Sequence, residues 1–411
     1  MKVLHLTKTL SGGAGMAAAR TVAALRQSGL EATLWSEGNP PVLAPGAGTW
    51  RRWFLDKLDS VPTRLHLRRR KFAAWSNNWR ATRIAPVINA AGADIVHLHS
   101  VGQGFLALAE LRAVRASIVW TMHDAWPFTG GCHYPADCLR YRSGCGCCPQ
   151  LASAKTGDLS RRNWFTKQAA AARVSRWISP SAWLADCAAS SGLVPQERLR
   201  VIPNAIDGTD WSPVDRREAR GALALPDDAL VLVAGAMDLR EPRKGCQLLP
   251  KALGGLVTGG KRPVILLLFG HSRVGHRSDW FLETRHLGPV KTARDMARIF
   301  SAADALLMPS LQDNLPNVVM EAQACGCPVV GFRSGGISEI VQDGRTGLLT
   351  AVMTAVALSE TLRQWLQIAP PREEVVRRCR ERQQVLYAPA VHATALQHLY
   401  EEALAAPSPP G

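Results

Sequence analysis

Asp304-Ala305-Leu306-Leu307-Met308-Pro309-Ser310-Leu311-Gln312-Asp313-Asn314-Leu315-Pro316-Asn317-Val318-Val319-Met320-Glu321-Ala322-Gln323-Ala324-Cys325-Gly326 contains a strand, a turn and a helix in succession. The apolar run 304–310 reads as a buried strand, and 311–317 reads as a polar turn. The stretch 318–326 reads as a helix closed by Gly326. A second strand, Pro328 to Phe332, runs into Ser334-Gly335-Gly336-Ile337-Ser338-Glu339. Two acids, Asp313 and Glu321, bracket the turn into the helix. A helix start presents N–H groups to an anion or to sugar hydroxyls. A carboxylate one or two turns further on can accept both hydroxyls of a ribose. The combination suits a nucleotide sugar.

The same alternation extends in both directions. Strands are expected at Lys2–Lys8, Glu31–Ser36, Asp94–Ser100, Ser117–Asp124, Arg176–Ser181 and Arg198–Asn204, with a first helix over Ala14–Ser28. After a turn-rich segment at 215–228, strands are expected at Ala229–Ala236 and Pro263–Gly270, and helices from Thr354 to Ala405. Repeated βαβ units imply parallel sheets covered on both faces. With 411 residues the chain is long enough for two such domains. We place their boundary at 205/206, with 385–411 crossing back to the first and 206–384 forming the second.

Composition narrows the partners. The formal net charge of +16 favours polyanions. No helix-turn-helix, RNP-type or zinc-finger pattern directs that charge to nucleic acid, so phosphate-bearing substrates and anionic lipid are preferred. Residues 38–92 interleave bases with aromatics: Trp50-Arg51-Arg52-Trp53-Phe54, Arg68-Arg69-Arg70-Lys71-Phe72, Trp75 and Trp79. That pattern suits an anionic membrane surface or a helical insertion packed on the core. No apolar run is long enough to span a bilayer, and the start of the chain reads as a strand. A cytoplasmic location, peripheral at the inner face of the membrane, is expected.

Four further motifs carry chemistry. Ser11-Gly12-Gly13-Ala14-Gly15 follows the first strand, where Gly12 and Gly13 let the backbone approach a ligand. His123 and Asp124 end the strand Ile118–Asp124, where open α/β sheets bind ligands. His97 and His99 share one strand face and read as structural. The segment 234–245 offers Arg240, Arg243 and Lys244 as phosphate cations, or simply as a solvated charge run. Cys132, Cys138, Cys145 and Cys148 end in a two-residue-spaced pair, with His133 beside them as a spare ligand. A structural zinc, a disulfide or redox pair, and free thiols all fit that spacing. Cys187, Cys246, Cys325, Cys327 and Cys379 read as small core residues.

Taken together, these motifs resemble retaining glycosyltransferases of the GT-B fold, family 4, of the bacterial exopolysaccharide type. The hallmark carried by 313–336 is two acids separated by seven residues, then Ala-x-Ala-x-Gly and a Gly-Gly turn. Asp313 replaces the usual Glu, and Ala236 replaces the usual Arg. The resemblance implies an α/β GT-B fold, two facing Rossmann-like domains with the active site in the inter-domain cleft. It implies hexose transfer from a nucleoside diphosphate sugar to a glycan or lipid-linked acceptor, without a catalytic cofactor. The absence of an Asp-x-Asp triplet agrees, since that pair holds a metal in the other main transferase fold. By the same resemblance, His123 contacts the donor sugar or its phosphate, and Gly12 and Gly13 face the donor. Lys244 and either Arg243 or Arg240 hold the diphosphate. Asp313 with the amides of Asn314 and Leu315 holds the sugar, and Glu321 holds the ribose. A sugar-nucleotide epimerase and an inactive glycan-binding scaffold are the other readings.

Overall fold

The strands pair into two separate six-stranded parallel sheets in the computed structural model, which describes residues 1–37, 49–66, 68–69, 74–79, 82–256, 262–274 and 280–406. The first sheet contains β1 (Lys2–Leu6), β2 (Glu31–Trp35), β3 (Ile95–Leu98), β4 (Ser117–Thr121), β5 (Val174–Ser179) and β6 (Leu199–Val201), in the order β2-β1-β3-β4-β5-β6. The second contains β7 (Leu230–Asp238), β8 (Val264–His271), β9 (Glu283–Gly288), β10 (Ala305–Met308), β11 (Val329–Phe332) and β12 (Gly347–Thr350), in the order β12-β11-β10-β7-β8-β9.

Burial on both faces explains the apolar runs. Along β7, Val231 and Val233 enter one core with Phe300, while Leu230, Leu232 and Ala234 enter another with Trp365. The two-residue period of a strand splits one sequence between two cores. Each sheet reverses direction once, at β1/β3 in the first and at β7/β10 in the second. Ligands of open parallel sheets bind outside the carboxyl ends of strands at such a point.

The contacts divide the chain into Met1–Ala205 with Pro389–Gly411, and Ile206–Ala388. The helix Pro389–Ala405 belongs to the first unit because Ala393, Leu396, Leu399 and Tyr400 fill its core beside Val3, Ile95 and Val119.

Several elements differ from expectation. β9 and β12 were not foreseen, and 216–222, read as turn, is a helix opened by the Asp215 side chain. Within 38–92, a helix spans Thr49–Arg64, while residues 38–48 and 70–73 and the side chains of 49–56 lie outside the described residues. Trp75 does not face outward as a membrane anchor: its ring lies against Gly131, where a Cβ would meet it at 2.4 Å, and its Nε1 donates to Asn77 at 2.9 Å. Trp79 is exposed. Among the described residues no helix is long and apolar enough to cross a membrane. Residues 407–411 of the tail lie outside the described residues.

Candidate functional site

The switch point of the second sheet gathers three segments. A short turn, Pro242–Lys244, follows β7; the loop 309–316 follows β10; the Ser334-Gly335-Gly336 turn follows β11. Gly245, at φ 69°, lets the first approach the second, because a Cβ there would lie 1.8 Å from the Pro309 carbonyl oxygen. Gly335, at φ 56°, does the same for the third, with the Asp313 carbonyl 1.7 Å from its notional Cβ. Only glycine tolerates both the left-handed backbone and that proximity. Backbone bonds lock the segments: Leu311 N–H donates to Arg243 O at 2.8 Å, and Gly336 N–H to Asn314 O at 2.8 Å. Ser334 Oγ donates to Ser310 O at 2.6 Å.

Asp313 sits in the middle, 6% exposed. Lys244 Nζ donates to its Oδ2 at 2.6 Å, and Arg243 lies 3.4 Å from its Oδ1. Burial alone would push this carboxyl up, but Lys244 and Arg243 outweigh it and hold the group below the ordinary carboxylate range. The Asn314 amide also donates to it. Arg243 is fixed by Glu241 Oε1 at 2.9 Å and by Gln312 O at 2.8 Å. Arg240 takes no part: it lies 3.4 Å from Asp238, with its side chain 65% exposed. Sequence offered both arginines as partners of Lys244, and the structure brings Arg243. Glu321 is buried on the helix Asn317–Ala324, and the Leu315 side chain joins the core beneath. That helix starts at Asn317, so Asn314 and Leu315 lie in the loop ahead of it.

In the first unit, β1, β3 and β4 bring a chain of imidazoles together. His5 and His97 are register partners. His5 Nδ1 lies 3.0 Å from His99 Nε2, and His99 Nδ1 lies 3.0 Å from His123 Nε2. His97 spans Tyr400 Oη at 2.6 Å and Thr121 Oγ1 at 2.7 Å. Burial lowers these imidazoles, His5 to about 3 and His123 to about 4, and mutual repulsion with other histidines adds to it. His97 and His99 are lowered well below the ordinary value for the same reasons. The chain is therefore neutral near pH 7. Among the described residues, His5, His97 and His99 form the one trio whose potential ligand atoms lie within 4.8 Å of one another. His5 was not foreseen, since its meeting with His97 depends on pairing between distant strands.

Asp124 binds His133 Nδ1 at 2.7 Å and accepts from the Trp126 amide at 2.8 Å. Burial would raise its carboxyl, yet His133 holds it low. The other nitrogen of His133 lies 2.7 Å from Ser76 Oγ. Both ring nitrogens are engaged, so His133 is not the spare metal ligand that its position suggests. Gly12, at φ 78°, opens the helix Gly12–Gln27, and Gly13 lies in its first turn.

Cys132, Cys138, Cys145 and Cys148 line one small cavity. No three of their sulfurs lie within 4.8 Å of one another, and all are free thiols. Burial pushes Cys132 up to about 12 and Cys145 up to about 11. Of the cysteines read as core, Cys246, Cys325, Cys327 and Cys379 are buried, whereas Cys187 is half-buried.

Two family models match successive parts of the chain. Residues 11–209 match the model Glycosyltransferase Family 4, and residues 228–367 match Glycosyl transferases group 1. A D-inositol 3-phosphate glycosyltransferase of Actinosynnema mirum is 34% identical over 41% of this chain and 46% of its own length. The chain thus spans about half the length of that relative. The putative colanic acid biosynthesis glycosyl transferase WcaC of Escherichia coli is 28% identical over 67% of this chain and 69% of its own. Among solved structures, Anabaena HepE in complex with UDP-glucose superposes with a TM-score of 0.67 at 16% identity, over 98% of this chain and 99% of that one. That likeness shows the two-domain α/β fold of the GT-B class. The chain carries a glycosyltransferase family 4 domain followed by a glycosyltransferase group 1 domain.

Proposed function

We propose that the protein transfers a hexose from a nucleoside diphosphate sugar to a glycan or lipid-linked acceptor in bacterial polysaccharide synthesis, with retention at the anomeric carbon. One observation carries this reading: Lys244 and Arg243 converge on a single buried anionic point at the carboxyl ends of β7 and β10. A nucleoside diphosphate leaving group gains charge as the glycosidic bond breaks. Two fixed cations stabilise that charge most where it is growing, which is the condition for catalysis rather than mere binding.

In this scheme Lys244 and Arg243 hold the diphosphate without a catalytic metal. Glu321 accepts the ribose hydroxyls, and Asp313 accepts sugar hydroxyls beside the Asn314 and Leu315 amides. The neutral imidazole of His123 hydrogen-bonds a sugar or phosphate oxygen. A leaving-phosphate oxygen takes the acceptor proton on the face where the new bond forms. The relative with UDP-glucose bound supports the donor class, and the colanic acid relative supports the polysaccharide product. The charge of +16 supports an acceptor or a membrane surface rich in anions.

A thermal-shift screen with UDP, GDP, ADP and their sugars tests the donor, followed by product analysis with and without acceptor. The proposal expects stabilisation by one nucleotide and transfer that depends on acceptor. Conversion of the donor sugar in the absence of acceptor would indicate an epimerase. Glycan binding with neither donor hydrolysis nor transfer would indicate a scaffold.

A further inference from the structure

The cysteine loop has no part in the transfer scheme. We propose that Cys132, Cys138, Cys145 and Cys148 bind one structural Zn²⁺ as thiolates. All four line a cavity of about 20 Å³, together with Trp75 and Tyr141. That volume holds roughly one atom-sized occupant, since a water-sized sphere needs about 10–15 Å³.

Backbone amides reach two of the sulfurs. Gly130 N–H donates to Cys145 Sγ at 3.2 Å. The amides of Gln150 and Leu151 both point to the Cys148 sulfur. Burial keeps these sulfurs as thiols without metal, and binding the ion displaces their protons. The turn carrying the close pair is unusual. Gly144, Cys145, Gly146 and Cys147 all have positive φ, at 85°, 60°, 96° and 44°. For the two cysteines that backbone is costly, and it persists only where the surroundings impose it. Here the amide of Cys145 donates to Arg140 O, that of Gly146 to Ser160 Oγ and that of Cys148 to Asp158 Oδ2, and these bonds hold the turn.

The buried Lys167 donates to the Trp126 carbonyl and, at 2.8 Å, to the Thr129 carbonyl, which holds the start of the cysteine loop. Zinc at about 2.3 Å from each sulfur places the sulfurs about 3.8 Å apart. No three of the sulfurs here lie within 4.8 Å of one another, so the side chains must close on the ion when it binds.

The ion would pin the loop that delivers His133 to Asp124. His133 follows Cys132 directly and bridges Asp124 and Ser76 at 2.7 Å each.

Metal analysis of the full chain, purified without chelator, tests the site. About one zinc per chain is expected, with loss of zinc in Cys148→Ser and retention in Cys187→Ser. Because Cys148→Ser could fail to fold, the native chain is also exchanged with Co²⁺. A thiolate-to-cobalt charge-transfer band with tetrahedral visible bands is expected, and chelation should lower the melting temperature until zinc is restored. Absence of metal from native protein, with the four thiols titratable or paired as disulfides and no cobalt spectrum, would overturn the proposal.

Discussion

Asp313 shows how one residue can be held ionised in a buried place. Its two cations do what solvent does elsewhere, so removing either leaves the buried carboxylate less compensated and should lower stability as well as function. Lys244→Ala is expected to lower turnover by a factor of roughly 100 to 1,000, about 2.7–4 kcal/mol, with the fold intact. Near-normal transfer by a folded Lys244→Ala protein would place the phosphate site elsewhere. The arginines give a sharper comparison. Arg243→Ala should cost far more turnover than Arg240→Ala, because Arg243 meets Asp313 whereas Arg240 is exposed beside Asp238. Sequence could not separate the two: both are bases on one polar turn, and only the Leu311–Arg243 backbone bond decides which faces Asp313. The segments that bring Lys244 to Asp313 were legible because the strand-turn-helix pattern is local.

At the scale of elements, the central strands could be read from their apolar runs, as could the edges β2 and β6 of the first sheet, while the edges β9 and β12 of the second could not. β9 reads Glu283-Thr284-Arg285-His286-Leu287-Gly288, a mostly polar edge, and β12 is only four residues long. Neither carries the signal of burial on two faces. The histidine layer was half legible: the shared face of His97 and His99 follows from period two, but the partners His5 and Tyr400 come from distant segments. This layer has a pH consequence. His5, His97, His99, His123 and His392 all titrate below the ordinary imidazole value of 6.5 when folded. Between 6.5 and the folded values, near 3 to 4 for His5, His123 and His392, the unfolded chain binds protons that the folded one does not. Stability is therefore complete above 6.5 and falls as pH drops through that window, by up to about 1.4 kcal/mol per pH unit for each group. Urea unfolding near pH 7 and near pH 5 should show a clear loss at the lower value. A flat profile would mean that these imidazoles accept protons freely in the folded state. Tyr400→Phe removes the hydroxyl facing buried His97 and should cost about 1–3 kcal/mol, read as a lower urea midpoint. Nucleotide affinity, which the proposal assigns chiefly to the Ile206–Ala388 unit, should change far less than stability.

For the whole molecule, the returning helix Pro389–Ala405 makes the first unit discontinuous in sequence. Truncation before Pro389 should unfold that unit, because Leu396, Leu399 and Tyr400 are core residues there. Proteolysis or a lost unfolding transition would report it, and an unchanged transition would contradict the assignment. The two-domain α/β class was legible from the alternation of strands and helices. The charge of +16 was legible too, but its partner was not, because a net charge names a sign and no chemistry. The central claim is that the Ile206–Ala388 unit binds a nucleoside diphosphate sugar through Glu321, Lys244 and Arg243. Calorimetric titration of the nucleotide found in the thermal-shift screen into folded wild type and Glu321→Ala tests it most directly. A carboxylate bonded to hydroxyls contributes about 1.5–3 kcal/mol, so affinity should fall by roughly 10- to 150-fold in the variant. Equal affinity in the two proteins, or no nucleotide binding by wild type, would contradict the account.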